Sequence, residues 1–403
     1  MKKELLFITS QLPYPPFKGG VSTSWNLINY LSQHFRTSMV TLLKWEDPDF
    51  EQEFLSKVKL EDYFSFELNI ERTPAAVIKS YVKGVPINLV RNYHPVVAEK
   101  IHSMVDEFDY VFVDHYEMFQ YIPEKIKAKT IMHEHNAEFV MWKRYSEVST
   151  NPLKKLITAL ESRRIQKYEK QYCSRASMVL ANPNDQVILN DLTNNVGRIE
   201  QIVPCGEDFM LDWADLQWDN TEESLLYIGS LTWEANADGL IWFLNEGWEK
   251  LKAKRPNVKF YIVGGNPDPR IKDLAAKHKD IILTGFVDDL EDYYAKCRVF
   301  ITPLRFGSGV KLKVMNAMFR GIPVVTTPIG SEGMAVENGV HLYHTHNMDE
   351  FVGDCADLLV NRPLWEKFRD KSRELTRSQF SWAVQLNNIK QNILSLNGAV
   401  HQG

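Results

Sequence analysis

Compact apolar runs alternate with amphipathic stretches along the first half of this chain. Leu5 to Ile8, Met39 to Leu43, Tyr110 to Val113, Thr130 to Met132, Met178 to Ala181 and Ile199 to Val203 each have strand length. Helical periodicity spans Ser22 to Leu31 and, at greater length, Leu153 to Arg175. Short continuous apolar runs separated by helices predict parallel strands buried on both faces and joined by crossover helices.

The pattern breaks at Pro204, Cys205 and Gly206. An acidic stretch follows, Glu207 to Glu223, with no clear element of its own. Leu225 to Ile228, Lys259 to Val263, Ile281 to Leu283, Val299 to Thr302 and Pro323 to Thr326 then repeat the earlier signature and predict a second open α/β sheet. The boundary falls near residue 206. Residues 1–205 are expected to form one Rossmann-like domain and 206–380 a second. Residues 381–403 are expected to form a helix that crosses back to the first domain. Two doubly wound domains in tandem are expected to face each other across a cleft, with ligands at the carboxyl ends of the strands.

Composition adds exclusions. With 403 residues, 44% apolar and 25% charged, the chain can build two cores. A net charge of -5 gives no reason to expect nucleic acid as a partner. Cys173, Cys205, Cys297 and Cys355 are scattered, which signals neither a zinc site nor a disulfide framework. No apolar stretch reaches the ~20 residues of a membrane span. The protein is expected to be cytoplasmic, at most peripheral at the inner face of a membrane. Leu153 to Arg175 carries seven basic residues against Glu161 and Glu169, with Leu156, Ile157 and Leu160 on one side. It reads as a solvated basic face over a packed apolar stripe, ahead of a helix lying on a membrane surface.

The chemistry concentrates after the strand that ends at Thr302 and Pro303. Arg305, Gly307, Ser308 and Gly309 form a loop, and a helix is expected from near Val310. Glycines at a helix start let backbone N–H groups approach a phosphate, and the helix dipole favours its charge. Gly309, Lys313 and Asn316 fall at spacings of four and three on one helical stripe. That makes Lys313 the better ligand and sends Lys311 elsewhere.

This segment resembles the retaining glycosyltransferases of family 4 (glycosyltransferase group 1). Asn316-Ala317-Met318, Gly321-Ile322-Pro323-Val324-Val325 and Gly330-Ser331-Glu332-Gly333 stand where that family has its "EAM" helix, its "G-x-P-V-V" strand and the turn after it. Upstream, Tyr227-Ile228-Gly229-Ser230, Tyr261-Ile262-Val263-Gly264-Gly265 and Thr284-Gly285-Phe286-Val287 match further landmarks in order. The resemblance implies a GT-B fold, with 1–205 the acceptor-side domain and 206–380 the donor-binding one, and a nucleotide-diphosphate-sugar donor as co-substrate, with no other cofactor and no metal. It implies donor contacts from Gly20, Gly229, Ser230, Val287, Arg305, Ser308, Gly309, Lys313 and Asn316. The acceptor it implies is a glycan or a lipid-linked saccharide. One departure stands out. The family's ribose-binding glutamate falls on Asn316 and its acidic partner on Ser308, so charge-assisted contacts are replaced by neutral ones.

In the first half, Gly19-Gly20 follows the first strand, and His133-Glu134-His135-Asn136-Ala137-Glu138 follows another. His133 and His135 share a face, but no third metal ligand is evident. The stretch resembles the family's "H-N-x-E", which implies that His135 acts at the reacting sugar and Glu138 on the acceptor side. Asp114 and His115 rank second. Two rivals remain. A non-catalytic GT-B binding subunit would explain Asn316. A sugar-nucleotide 2-epimerase would require a carboxylate set that these loops do not supply.

Overall fold

The computed structural model describes residues 2–16, 19–44, 47–68, 74–148, 152–203, 205–307 and 310–396. It divides into two compact units, one of Met1–Val203 with Leu386–Gly403 and one of Pro204–Gln385.

The first unit is a seven-stranded parallel sheet. Its strands are β1 (Glu4–Thr9), β2 (Arg36–Leu43), β3 (Tyr63–Glu67), β4 (Tyr110–Asp114), β5 (Lys129–Glu134), β6 (Met178–Ala181) and β7 (Ile199–Gln201). Their order is β3-β2-β1-β4-β5-β6-β7. The central strands are apolar along their whole length because helices cover both faces, and β1, β4, β5 and β6 are buried almost throughout. The order reverses between β1 and β4, the switch point at which open α/β sheets bind ligands. There the register sets Thr9 beside Asp114 and Asp114 beside His133.

The second unit has six parallel strands: β8 (Glu222–Ile228), β9 (Lys259–Val263), β10 (Ile281–Gly285), β11 (Cys297–Thr302), β12 (Val324–Thr326) and β13 (Tyr343–His344). They are ordered β10-β9-β8-β11-β12-β13. Here the switch point lies between β8 and β11.

Several expectations are corrected. Strands β3 and β13 carry no long apolar run: β3 is a half-buried edge strand, and β13 has two residues. The acidic stretch holds two short helical turns, Phe209–Asp212 and Trp218–Asn220. The helix expected from Val310 begins at Leu312 and ends at Arg320. The long basic helix spans Pro152–Arg175, but its stripe does not pack. Leu156, Ile157 and Leu160 are 58%, 41% and 37% exposed.

The Leu312–Arg320 helix is anchored at its end by Arg373, whose side chain is 2% exposed. Gly321, at φ 84, closes the helix in the left-handed conformation, where a Cβ would lie 2.8 Å from Arg373 Cδ. The Arg373 guanidinium donates to the carbonyls of Phe319 and Arg320 at 3.2 Å, and to those of Leu211 and Trp213 at 2.9 and 3.0 Å. Five rigid donors suit this task, and a lysine cannot reproduce it. Arg373→Met strands several buried carbonyls. It should lower stability by about 3 kcal/mol, with Arg373→Lys recovering less than half. Urea unfolding followed by fluorescence measures this, and an unchanged midpoint would show that the helix end does not depend on Arg373.

Candidate functional site

In the first unit, the site grows from one carboxylate. Asp114 ends β4 and is fully buried. Its Oδ2 accepts hydrogen bonds from Thr9 Oγ1 on β1 at 3.0 Å and from Ser24 Oγ at 2.7 Å. Ser24 lies on the Gly19–His34 helix. Its Oδ1 lies 2.8 Å from both His133 Nδ1 and His135 Nε2. The histidines beside it hold the carboxyl well below its usual range despite burial. A carboxylate has only acceptors to offer, so both ring nitrogens must donate. This assigns the tautomers. A neutral His135 carries its proton on Nε2 and its lone pair on Nδ1.

That lone pair points toward Gly20, where a Cβ would sit 3.5 Å from His135 Nδ1. Ring contacts brace the imidazole, with His115 stacked at 3.8 Å and 10°, and His133 at 4.1 Å. Burial pushes His115 and His133 down to about 4, so both are neutral near pH 7. His115 holds a left-handed φ of 75, strained for a residue with a side chain, and its buried Nε2 makes no hydrogen bond.

Glu138 opens the next helix, Glu138–Val148. Burial, with the Glu117 charge nearby, raises its carboxyl to about 7. The backbone N–H groups of Glu138 and Phe139 donate to Glu169 at 2.7 and 3.0 Å. Glu134 has no such donors, and burial beside Glu169 pushes its pKa well up. The structure thus brings Gly20, His135 and Glu138 together. It also promotes Asp114 and His115 from second rank and adds Thr9 and Ser24, which no sequence signal had singled out.

Among the described residues a possible metal-ligand trio does exist, but it is not built on the His133 and His135 pair, because His133 is not part of it. Asp114, His115 and His135 place ligand atoms within 4.8 Å of one another. Yet four donors already occupy the Asp114 carboxylate, and the parallel His115 and His135 rings set their nitrogens side by side rather than converging. A cation there would have to displace protons.

In the second unit, a pocket of about 410 Å³ opens at the carboxyl ends of β8, β9 and β10. Gly229, Ser230 and Val287 line it, with Gly264, Gly265 and Phe286. No side chain fits at Gly264, whose Cβ would lie 2.2 Å from the Gly229 carbonyl oxygen. Behind Gly229 sits Lys313, whose Nζ would be 2.8 Å from a Cβ there. The ammonium donates to Tyr227 Oη at 2.9 Å and Asn236 Oδ1 at 2.6 Å, both neutral. No carboxylate pairs with it among the described residues. Burial, and the charge of Lys311 nearby, lower its pKa to about 7.

Lys311 is therefore not remote. It precedes the helix rather than lying on it, so helical spacing does not govern it. Its Nζ is 3.8 Å from Glu332. Arg305 is held in a two-pronged pair by Asp238, with Nε to Oδ2 at 2.8 Å, and remains half exposed. Asn316 Oδ1 accepts from the Glu207 backbone N–H at 3.2 Å. Ser308 and Gly309 lie outside the described residues.

Comparison with known proteins matches this arrangement. Residues 222–361 fit the family model described as "Glycosyl transferases group 1". A Klebsiella pneumoniae protein described as an uncharacterized 44.6 kDa protein in the cps region is 23% identical over 349 residues, 84% of this chain and 86% of that one. Anabaena Alr3699/HepE, solved with UDP and glucose, superposes with a TM-score of 0.63 at 13% identity, covering 98% of this chain and all of that one. Sucrose-phosphate synthase from Thermosynechococcus elongatus gives 0.65 at 15% identity, over 99% of this chain and all of its own. Staphylococcus aureus TarM, bound to fondaparinux, an α-GlcNAc-glycerol and UDP, gives 0.62 at 12% identity, over 97% and 99%. Two parallel-sheet Rossmann-like units give this chain the GT-B fold, and residues 222–361, across the second unit, are similar to the group 1 glycosyltransferases.

Proposed function

We propose that this protein transfers a glycosyl group, with retention of anomeric configuration, from a uridine-diphosphate sugar to a saccharide acceptor in polysaccharide biosynthesis. The observation that carries the reading is Lys313, a buried ammonium with only neutral partners that sits directly behind Gly229 of the strand-end pocket. Such a cation is stabilised when an anion arrives, and a diphosphate is the anion a transferase must hold as it leaves. Solved relatives that hold UDP support the choice of base. The relative in a cps region supports the polysaccharide setting.

The step follows from these roles. The bond between the sugar's anomeric carbon and the diphosphate oxygen breaks while Lys313 neutralises the developing charge. The acceptor oxygen bonds to the same carbon on the same face, and its proton passes to the leaving phosphate oxygen. Asp114 holds His135 so that the Nδ1 lone pair can accept a hydrogen bond from a sugar hydroxyl, which fixes the ring as positive charge builds on it. Glu138, whose carboxyl titrates near neutrality, serves the acceptor hydroxyl. Ser308, Gly309 and Asn316 keep their place as donor contacts by resemblance. Arg305 joins them only by exchanging Asp238 for phosphate.

Two outcomes are expected. Lys313→Met should weaken UDP binding about 30–100-fold, the ~2–3 kcal/mol of a charge-assisted hydrogen bond. Because the free lysine loses its proton near pH 7, wild-type affinity should fall as pH rises from 7 to 8.5, toward about tenfold per unit. The variant should lack that slope. Calorimetric titration across pH decides it, and a flat wild-type profile would remove Lys313 from the phosphate.

His135→Ala should lower UDP release from a panel of UDP-sugars by about 100-fold while leaving UDP affinity within about twofold. Unchanged turnover would return His135 to packing alone.

A further inference from the structure

We infer that the outer face of the Glu138–Val148 and Pro152–Arg175 helices is a docking surface for an anionic lipid bilayer. On the longer helix, Leu153, Leu156, Ile157 and Leu160 recur at intervals of three, one and three, the spacing of an apolar stripe. A stripe with this period ordinarily faces the core of its own domain. Here all four are exposed, as are Met141 and Tyr145, one turn apart on the neighbouring helix. The patch extends to the Pro74–Lys83 helix, where Ile78, Tyr81 and Val82 are exposed. Arg164, one turn beyond Leu160, lies over the Tyr81 ring at 4.1 Å and joins the two helices. A patch of this extent marks an interaction surface.

Charge identifies the occupant. The two acids that offset the basic residues of the long helix in sequence are withdrawn into the interior. Glu161 accepts the Ile87 N–H, and Glu169 accepts those of Glu138 and Phe139. What remains outside on the two helices is Lys143, Arg144, Lys155, Arg163, Lys167 and Lys170 against Glu147. The patch is thus basic on a chain whose net charge is -5. Apolar side chains ringed by lysine and arginine fit a negatively charged membrane surface, the former entering the acyl boundary and the latter meeting the headgroups. A second copy of the chain would set two basic faces against each other, which disfavours it. No described helix is long and apolar enough to cross a membrane, so the contact is with the surface. The inference holds whether or not the transfer reaction is as proposed.

Flotation of the full chain with phosphatidylcholine vesicles, with and without phosphatidylglycerol, tests it. The protein should float with the anionic vesicles only, and less so at high salt. Leu156→Glu with Ile157→Glu should abolish flotation. Lys155→Glu with Arg163→Glu should weaken it at least tenfold, at about fivefold per charge removed. Both variants should keep the wild-type circular dichroism and UDP thermal shift, because every substituted side chain is exposed. Failure of the wild type to float with anionic vesicles, or flotation of both variants like wild type, overturns the inference. So does a wild-type dimer in gel filtration that the Leu156/Ile157 variant dissolves, since the patch then belongs to a second copy.

Discussion

Parallel strands covered by helices on both faces have little room for charged side chains along their length. Such a strand can place a charge or an imidazole without desolvating it unpaired only at its end, where the sheet stops and loops begin. Both units obey this constraint. Thr9, Asp114 and His133 stand in one row of register where β1, β4 and β5 finish. Gly229 and Ser230 follow the last residue of β8. The chemistry sits where it does because the cores leave it no other place.

The two strand-end sites solve opposite electrostatic problems. In the first unit the buried charge is negative and fully satisfied: four donors converge on Asp114, and the surplus goes into orienting imidazoles. In the second it is positive and met only by neutral oxygens. A satisfied buried charge makes a rigid frame, while an incompletely matched one makes a binding site, because the missing counter-charge must come from a ligand.

What the residues alone disclosed was whatever obeys a local period. Apolar runs located eleven of the thirteen strands among the described residues, and glycine-punctuated turns located the loops that follow them. Everything set by distant partners escaped. Arg305 meets Asp238 across 67 positions and Asn316 meets Glu207 across 109, so neither pairing leaves a trace in spacing. Asp114 ranked only second because its central place depends on β1, β5 and the first helix arriving together. Lys311 is the cap residue of the helix that begins at Leu312, so helical spacing cannot fix where its side chain goes. The stripe at Leu156, Ile157 and Leu160 was found by its period, but a period says that residues share a side, not whether that side faces inward.

The chain's last helix carries a consequence for synthesis. Trp382–Ser395 begins in the second unit, where Asp208 caps it through Ser381 Oγ and the Trp382 and Ala383 N–H groups. From Leu386 onward it belongs to the first. There it buries Leu386, Ile389 and Ile393 and receives Arg198 on Asn392 and Ser395. The first unit is therefore interrupted by the whole of Pro204–Gln385. A ribosome adding about 5–20 residues per second takes roughly ten to forty seconds to make that insertion. Throughout that interval the earlier unit waits on the ribosome with the surface for its final helix uncovered, while the later one can finish folding first.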